Sequence, residues 1–162
     1  MLPKVRAIVY ASDIAEGSRP AFRMAVEQAV RHEAHIIFLH AIEPPVTDAD
    51  AMIRDYLISQ AQLKHTRQLM DQYRAKIEQR ISDFLESEIP SDIKLKQAPQ
   101  IEVRIGKPDT VIVDVARNQN ADLIVMGDRG GSTASRIFLG STTQKVIQQT
   151  SIPVLIVPLK GK

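Results

Sequence analysis

The residues best suited to chemistry lie in one stretch near the end of the 162-residue chain. They are Gly127-Asp128-Arg129-Gly130-Gly131, followed by Gly140-Ser141-Thr142-Thr143. Glycine lets the backbone take unusual φ or approach a ligand closely. The first cluster follows a short apolar run, Leu123 to Met126, and the second opens a helical pattern with Val146 and Ile147 as expected core positions. The start of a helix presents unpaired N–H groups and a partial positive charge, which together suit a phosphate. An ordinary strand-to-helix turn uses the same residue types, with Ser141 as its cap, so the local pattern alone leaves both readings open. It is neither a dinucleotide G-x-G-x-x-G nor a Walker A, and no Gly-Lys-Ser/Thr tripeptide is present.

The charged neighbours also have more than one reading. A carboxylate at Asp128 repels phosphates unless it points to solvent or meets a divalent ion. Arg129 could offset Asp128, contact phosphate, or face solvent from a turn. Arg136 is a further candidate phosphate contact on the loop between the glycines, although loop arginines are usually just exposed. Asp13 ends the first apolar run, where a carboxylate either meets a ligand or caps the following turn. His40, flanked by Leu39 and Ala41, reads as a satisfied sheet histidine rather than a base. His32, His35 and His65 show no metal-ligand spacing, and Lys145 reads as solvated. The hydroxyls of Ser141, Thr142 and Thr143 can donate hydrogen bonds or coordinate magnesium, but no activating partner is evident. The expectation is therefore binding with slow turnover at most, and no catalytic residue.

The elements that must position these residues follow from apolar periodicity. Val5 to Tyr10, His35 to Ile42, Ile101 to Ile105, Leu123 to Met126 and Val154 to Val157 read as strands. Between them run helical patterns. The first carries Ala21, Phe22, Met24, Ala25, Ala29 and Val30, with Ser18 expected as N-cap and Pro20 in the first turn. A helical excursion at about 48–88 carries Leu69, Met70, Tyr73, Ile77, Ile81, Phe84 and Leu85 on one face and ends before Pro90. After the turn Gly106-Lys107-Pro108-Asp109 come Val111, Ile112, Val115 and Ala116. Strictly alternating strands and helices predict an α/β fold with an open parallel sheet, read as one domain over residues 1–162.

Composition narrows the function. With no Cys, a disulfide scaffold, a zinc-thiolate site, an iron–sulfur cluster and a Cys nucleophile are all excluded. The net charge of +2 is too balanced for an obvious nucleic-acid binder, and 4% aromatics argue against base-stacking platforms. The charge is uneven, however. Residues 121–162 hold five basic and two acidic residues, a net +3, while the rest sums to −1. No apolar run approaches the ~20 residues of a membrane span and no signal-peptide pattern opens the sequence, so a soluble, cytoplasmic protein without membrane insertion is expected. The apolar closing strand, read as a sheet edge, is expected to be covered or paired, which predicts a homodimer through strand 153–157.

The spacing Gly127-x2-Gly130-x9-Gly140-Ser141, after DLIVM and before PVLIV, resembles the universal stress protein family. So do the opening strand ending at Asp13, HIIFLHAIEP, Gly106-Lys107-Pro108, and Ile152-Pro153-Val154-Leu155-Ile156-Val157. The resemblance covers nearly the whole chain and implies the family's ATP-binding branch. It implies a five-stranded parallel sheet, order 3-2-1-4-5, with helices on both faces, of the adenine nucleotide alpha hydrolase-like kind. It further implies a cytoplasmic stress-response module that binds ATP (or AMP or ADP), with Mg2+ or Mn2+ held through the phosphates. By carry-over, Ala11, Ser12 and Asp13 would lie at the adenosine end. Ala41 would offer backbone groups to adenine, and Met126 and Gly127 would line the ribose. Arg129, Gly130, Gly140, Ser141, Thr142 and Thr143 would meet the phosphates. Two alternatives stay open: an interaction protein with a vestigial site, and a genuine ATPase or nucleotidyl-transfer enzyme.

Overall fold

A computed structural model of the chain describes residues 1–43, 60–130 and 139–159. Strands and helices alternate: β1 (Ala7–Ala11), α1 (Arg19–His32), β2 (His35–Ile42), α2 (Gln60–Glu88), β3 (Gln100–Ile105), α3 (Pro108–Asn118), β4 (Leu123–Asp128), α4 (Ser141–Gln149) and β5 (Val154–Pro158). The strands form one five-stranded sheet in the order β3-β2-β1-β4-β5. Every neighbouring pair is parallel, with Ile8 of β1 opposite Ile36 of β2 and Leu123 of β4. The expected α/β architecture is thus the observed one.

Both faces of the sheet are covered, which is why the inner strands are apolar at consecutive positions rather than alternating. On one face α1 and α2 pack over Ile8, Tyr10, Ile36, Phe38 and Val125. There Tyr10, Phe22, Phe38 and Phe84 form an aromatic cluster, with ring centroids 4.9 Å apart for Tyr10–Phe38 and 5.2 Å for Phe22–Phe84. On the other face α3 and α4 pack over Val9, Ile37, Leu39, Ile124 and Met126. Asp122 ties the entry of β1 to that of β4: its Oδ2 accepts from the backbone N–H groups of Arg6 (2.7 Å) and Ala7 (3.1 Å).

Several local expectations are corrected. Ser18 does not cap α1 through its side chain; its own backbone is already helical (φ −80°, ψ −9°). Its carbonyl instead accepts from the N–H of Ala21 at 3.1 Å, and from the Tyr10 hydroxyl at 3.4 Å. Met24 and Val30 of α1 are exposed, while Ala21, Phe22, Ala25 and Ala29 are buried. In α4 Val146 is buried but Ile147 is 42% exposed. Successive helical residues diverge by about 100°, so only one of the two faces the sheet. The apolar stripe of α2 also divides. Ile77, Ile81 and Leu85 are buried, whereas Leu69 and Tyr73 are 52% and 50% exposed. The 29-residue helix is about 43 Å long, roughly twice the length of the strands beside it, so one stripe has too little sheet to lie on. The leading part of the predicted excursion, 48–59, lies outside the described residues.

β3 is an edge strand whose apolar and charged residues alternate in sequence but whose exposure does not: Val103 is buried, Ile101 and Glu102 are partly buried, and Arg104 and Ile105 are both exposed. The other edge is β5, whose Val154, Leu155, Ile156 and Val157 are only partly buried. Among the described residues, no helix is long and apolar enough to cross a membrane.

Candidate functional site

In an open parallel sheet, a crevice forms beyond the carboxyl ends of the strands where the strand order reverses. Here that point lies between β1, whose chain continues to β2 on one side, and β4 on the other. A cavity of about 450 Å³ opens there, within the usual range of ~300–1,000 Å³ for small-molecule sites. Ala11, Ser12 and Asp13 reach it from the end of β1, and Ala41 from β2. Met126, Gly127, Arg129 and Gly130 reach it from β4, and Gly140, Ser141, Thr142 and Thr143 from the start of α4. The topology therefore brings all of these sequence-selected residues to one cavity. Arg136 and Gly131 lie outside the described residues.

The glycines at this end of β4 serve different purposes. Gly130 has φ +81°, a left-handed conformation that side-chain-bearing residues adopt only with strain. Gly127 is required by packing, because a Cβ there would lie 2.5 Å from Leu159 Cδ1 and 3.3 Å from Ala21 Cβ. Leu159 is itself held to the end of β4, its N–H donating to the Asp128 carbonyl at 2.8 Å.

The loop after β1 is closed by its own side chains. Asp13 Oδ1 accepts from the Ala15 N–H (3.0 Å), and Ser12 Oγ accepts from the Ile14 N–H (3.0 Å). Asp13 thus does cap the next turn. Its Oδ2 is met by Arg129 Nε at 3.3 Å, and Arg129 Nη2 donates to the Glu16 carbonyl at 2.7 Å. Arg129 is therefore engaged with Asp13 and the Glu16 carbonyl rather than serving as the counter-charge of Asp128.

Asp128 takes a course not among those expected for it. It neither points freely to solvent nor pairs with Arg129. Its Oδ1 accepts from the Gly140 N–H at 2.9 Å and from Thr143 Oγ1 at 3.2 Å, so it caps the start of α4 from across the loop. Thr143 is 3% exposed. The N–H groups of the first turn of α4 have no acceptor within the helix itself.

Residues outside the expected binding set complete the walls. Leu39, Pro108, Ile112 and Leu159 supply apolar surface; Tyr10, Ser18, Ala21, His40 and Glu43 also line the cavity. His40 Nδ1 lies 2.8 Å from the Ser12 carbonyl. A carbonyl only accepts, so this nitrogen carries the proton, and the ring is held in place as a sheet histidine. Burial raises the Tyr10 phenol above its ordinary value; hydrogen bonds with Ser12 and Ser18 act in the opposite direction, Asp13 adds to the rise, and Arg129 opposes it. Pro108 and Ile112 carried a sequence signal, the turn after β3 and the buried stripe of α3. Their place in the wall follows only from the sheet order.

The family model of the Universal stress protein family matches residues 4–158. The chain belongs to the universal stress protein family. A curated member from Thermus aquaticus, "Universal stress protein in QAH/OAS sulfhydrylase 3'region", is 29% identical over 157 residues, covering 94% of this chain and 98% of its own length. Universal stress protein MJ0577 of Methanocaldococcus jannaschii is 22% identical over 160 residues, covering 96% of each. A solved structure described as a universal stress protein in complex with cAMP superposes with a TM-score of 0.60 at 23% identity, over 96% of this chain and 98% of that one. At such identity the superposition establishes the shared fold. In the universal stress protein described here a carboxylate, Asp128, lies between the first two glycines of the β4–α4 segment.

Proposed function

We propose that this universal stress protein binds an adenine nucleotide in the switch-point cavity and acts as a nucleotide-dependent regulatory module in the cytoplasm. The observation carrying this reading is the convergence of Gly130, the start of α4 and the β1 end on one cavity of nucleotide size. The cAMP named in the description of a structural neighbour supports an adenine ligand. The residues present fit such a group. Ala41, Leu39, Ile112 and Met126 offer backbone and aliphatic walls to a base, and the α4 N–H groups with Ser141 and Thr142 suit phosphate. ATP, ADP and AMP are all candidates under this reading.

Among the described residues, no group of three or more His, Asp or Glu side chains is placed to hold a metal. A Mg2+ or Mn2+ ion would be held through the phosphates, where it would neutralise their charge. Hydrolysis needs a base beside the attacking water. His40 Nδ1 is engaged with the Ser12 carbonyl, and the Thr143 hydroxyl with Asp128. The reading is binding with slow or absent turnover, which a phosphate-release measurement tests.

Mass spectrometry of the copurified ligand, together with titration calorimetry against ATP, tests the reading. An adenine nucleotide is expected in the first, and its binding should be lost in Gly130→Val while the fold persists. Retained affinity in that variant overturns the phosphate assignment. Phosphate release at ~1–10³ per second, the pace of ordinary enzymes, would overturn the regulatory one.

A further inference from the structure

We propose that Asp128 is a specificity-determining residue. It occupies the start of α4 as a built-in anion, so that the site prefers an adenine ligand with a single phosphate over ATP. The proposal rests on the adenine-nucleotide reading of the cavity. Asp128 Oδ1 holds the Gly140 N–H at 2.9 Å and the Thr143 hydroxyl at 3.2 Å. The family resemblance implies that Gly140 and Thr143 meet phosphate, and here both donors are already engaged. The carboxylate sits so close that a Cβ on Gly140 would lie 2.9 Å from the same oxygen. Glycine at 140 is therefore explained by the approach of Asp128 itself, without any ligand.

The charge of Asp128 is not cancelled by its neighbour. The Arg129 guanidinium is turned toward Asp13 and the Glu16 carbonyl. A helix start favours one anion, and here a covalently attached carboxylate takes that position at high effective concentration. A polyphosphate must share these donors with the carboxylate or displace it, and like charges a few ångströms apart repel. A ligand with one phosphate carries less charge into that field.

The test is titration calorimetry of adenosine, AMP and ATP, with and without Mg2+, on the wild-type chain, Asp128→Asn and Asp128→Ser. Asparagine keeps an acceptor oxygen for Gly140 and Thr143 while removing the charge; serine removes most of the side chain. A thermal melt of each variant verifies folding. Without Mg2+, AMP is expected to bind wild type at least ~10-fold tighter than ATP. Removing the charge should raise ATP affinity by about tenfold or more, and change AMP affinity by much less. An unchanged ATP:AMP ratio in both folded variants overturns the proposal and leaves nucleotide binding standing. A fall in Mg·ATP affinity on Asp128→Asn also overturns it, because the carboxylate would then be holding the ion. If no adenine compound binds wild type or either variant, the functional reading itself fails and takes this proposal with it.

Discussion

Arg129, just past β4, reaches back to Asp13, in the loop after β1, with 3.3 Å between Nε and Oδ2. The two strands are neighbours in the sheet but 116 residues apart in sequence. The pair fastens the loop after β1 across the mouth of the cavity.

Both side chains keep substantial contact with water, at 31% and 54% exposure. Such pairs contribute only about 0–1 kcal/mol to stability. Arg129→Ala should therefore leave the urea midpoint nearly unchanged, yet weaken nucleotide binding by freeing residues 12–17. Calorimetry beside urea unfolding separates the two. A stability loss well above ~1 kcal/mol, with affinity intact, would contradict the assigned role.

Gly127→Ala should be costly for a reason unrelated to ligand. The new methyl meets Leu159, and overpacking of this kind costs about 1–3 kcal/mol. Combining it with Leu159→Ala should recover part of that loss, giving a coupling of about 1 kcal/mol in a double-mutant cycle. Strictly additive costs in denaturant unfolding would show that the two residues do not share space.

Tyr10 predicts the alkaline behaviour. Its folded pKa is raised, mainly by burial, so folding favours the protonated phenol. That contribution is fully present below the unfolded value, about 10, and is lost as pH rises through the higher folded value. Stability should fall above pH ~10 and fall less in Tyr10→Phe. Ultraviolet titration of the phenol, alongside urea midpoints at each pH, reads both quantities. An identical alkaline slope in the two chains would remove Tyr10 as the cause.

The β5 edge predicts self-association. Leu159 N–H is bonded inward to Asp128, and successive residues of a strand point their N–H groups to opposite sides. The N–H of Ile156 therefore faces outward. Light scattering should give twice the mass of one chain, and Ile156→Pro should lower it to that of one chain without breaking a bond to β4. A wild-type monomer at working concentration would defeat the homodimer through 153–157.

Legibility in the sequence divides along physical lines. Buried parallel strands must be apolar on both faces, so HIIFLHAI and LIVM announce themselves, and their alternation with helices fixes the class. Given the order 3-2-1-4-5, Asp13 and Gly127 must meet, because β1 and β4 are neighbours. Periodicity marked the apolar positions of α4 but not which of Val146 and Ile147 faces inward. Nor did any motif reveal that Asp128 reaches across to Gly140. That contact depends on the direction in which β4 releases its last side chain, a tertiary property. Leu159 was invisible for a related reason: its role is to fill the space that Gly127 leaves.

The central position of β1 bears on the order in which the molecule is made. Its partners are residues 35–39 on one side and 123–126 on the other. As the chain leaves the ribosome, β1 can pair with β2 early, but its second edge waits for β4. The cavity waits longer still, since α4 and Leu159 are among its walls. Ligand can therefore stabilise only chains already made through Leu159, by RT ln(1 + [L]/Kd), and gives no help to shorter ones. Until then the exposed side of β1 is a sticky edge in a growing chain, and translation speed through residues 40–120 sets how long it stays so.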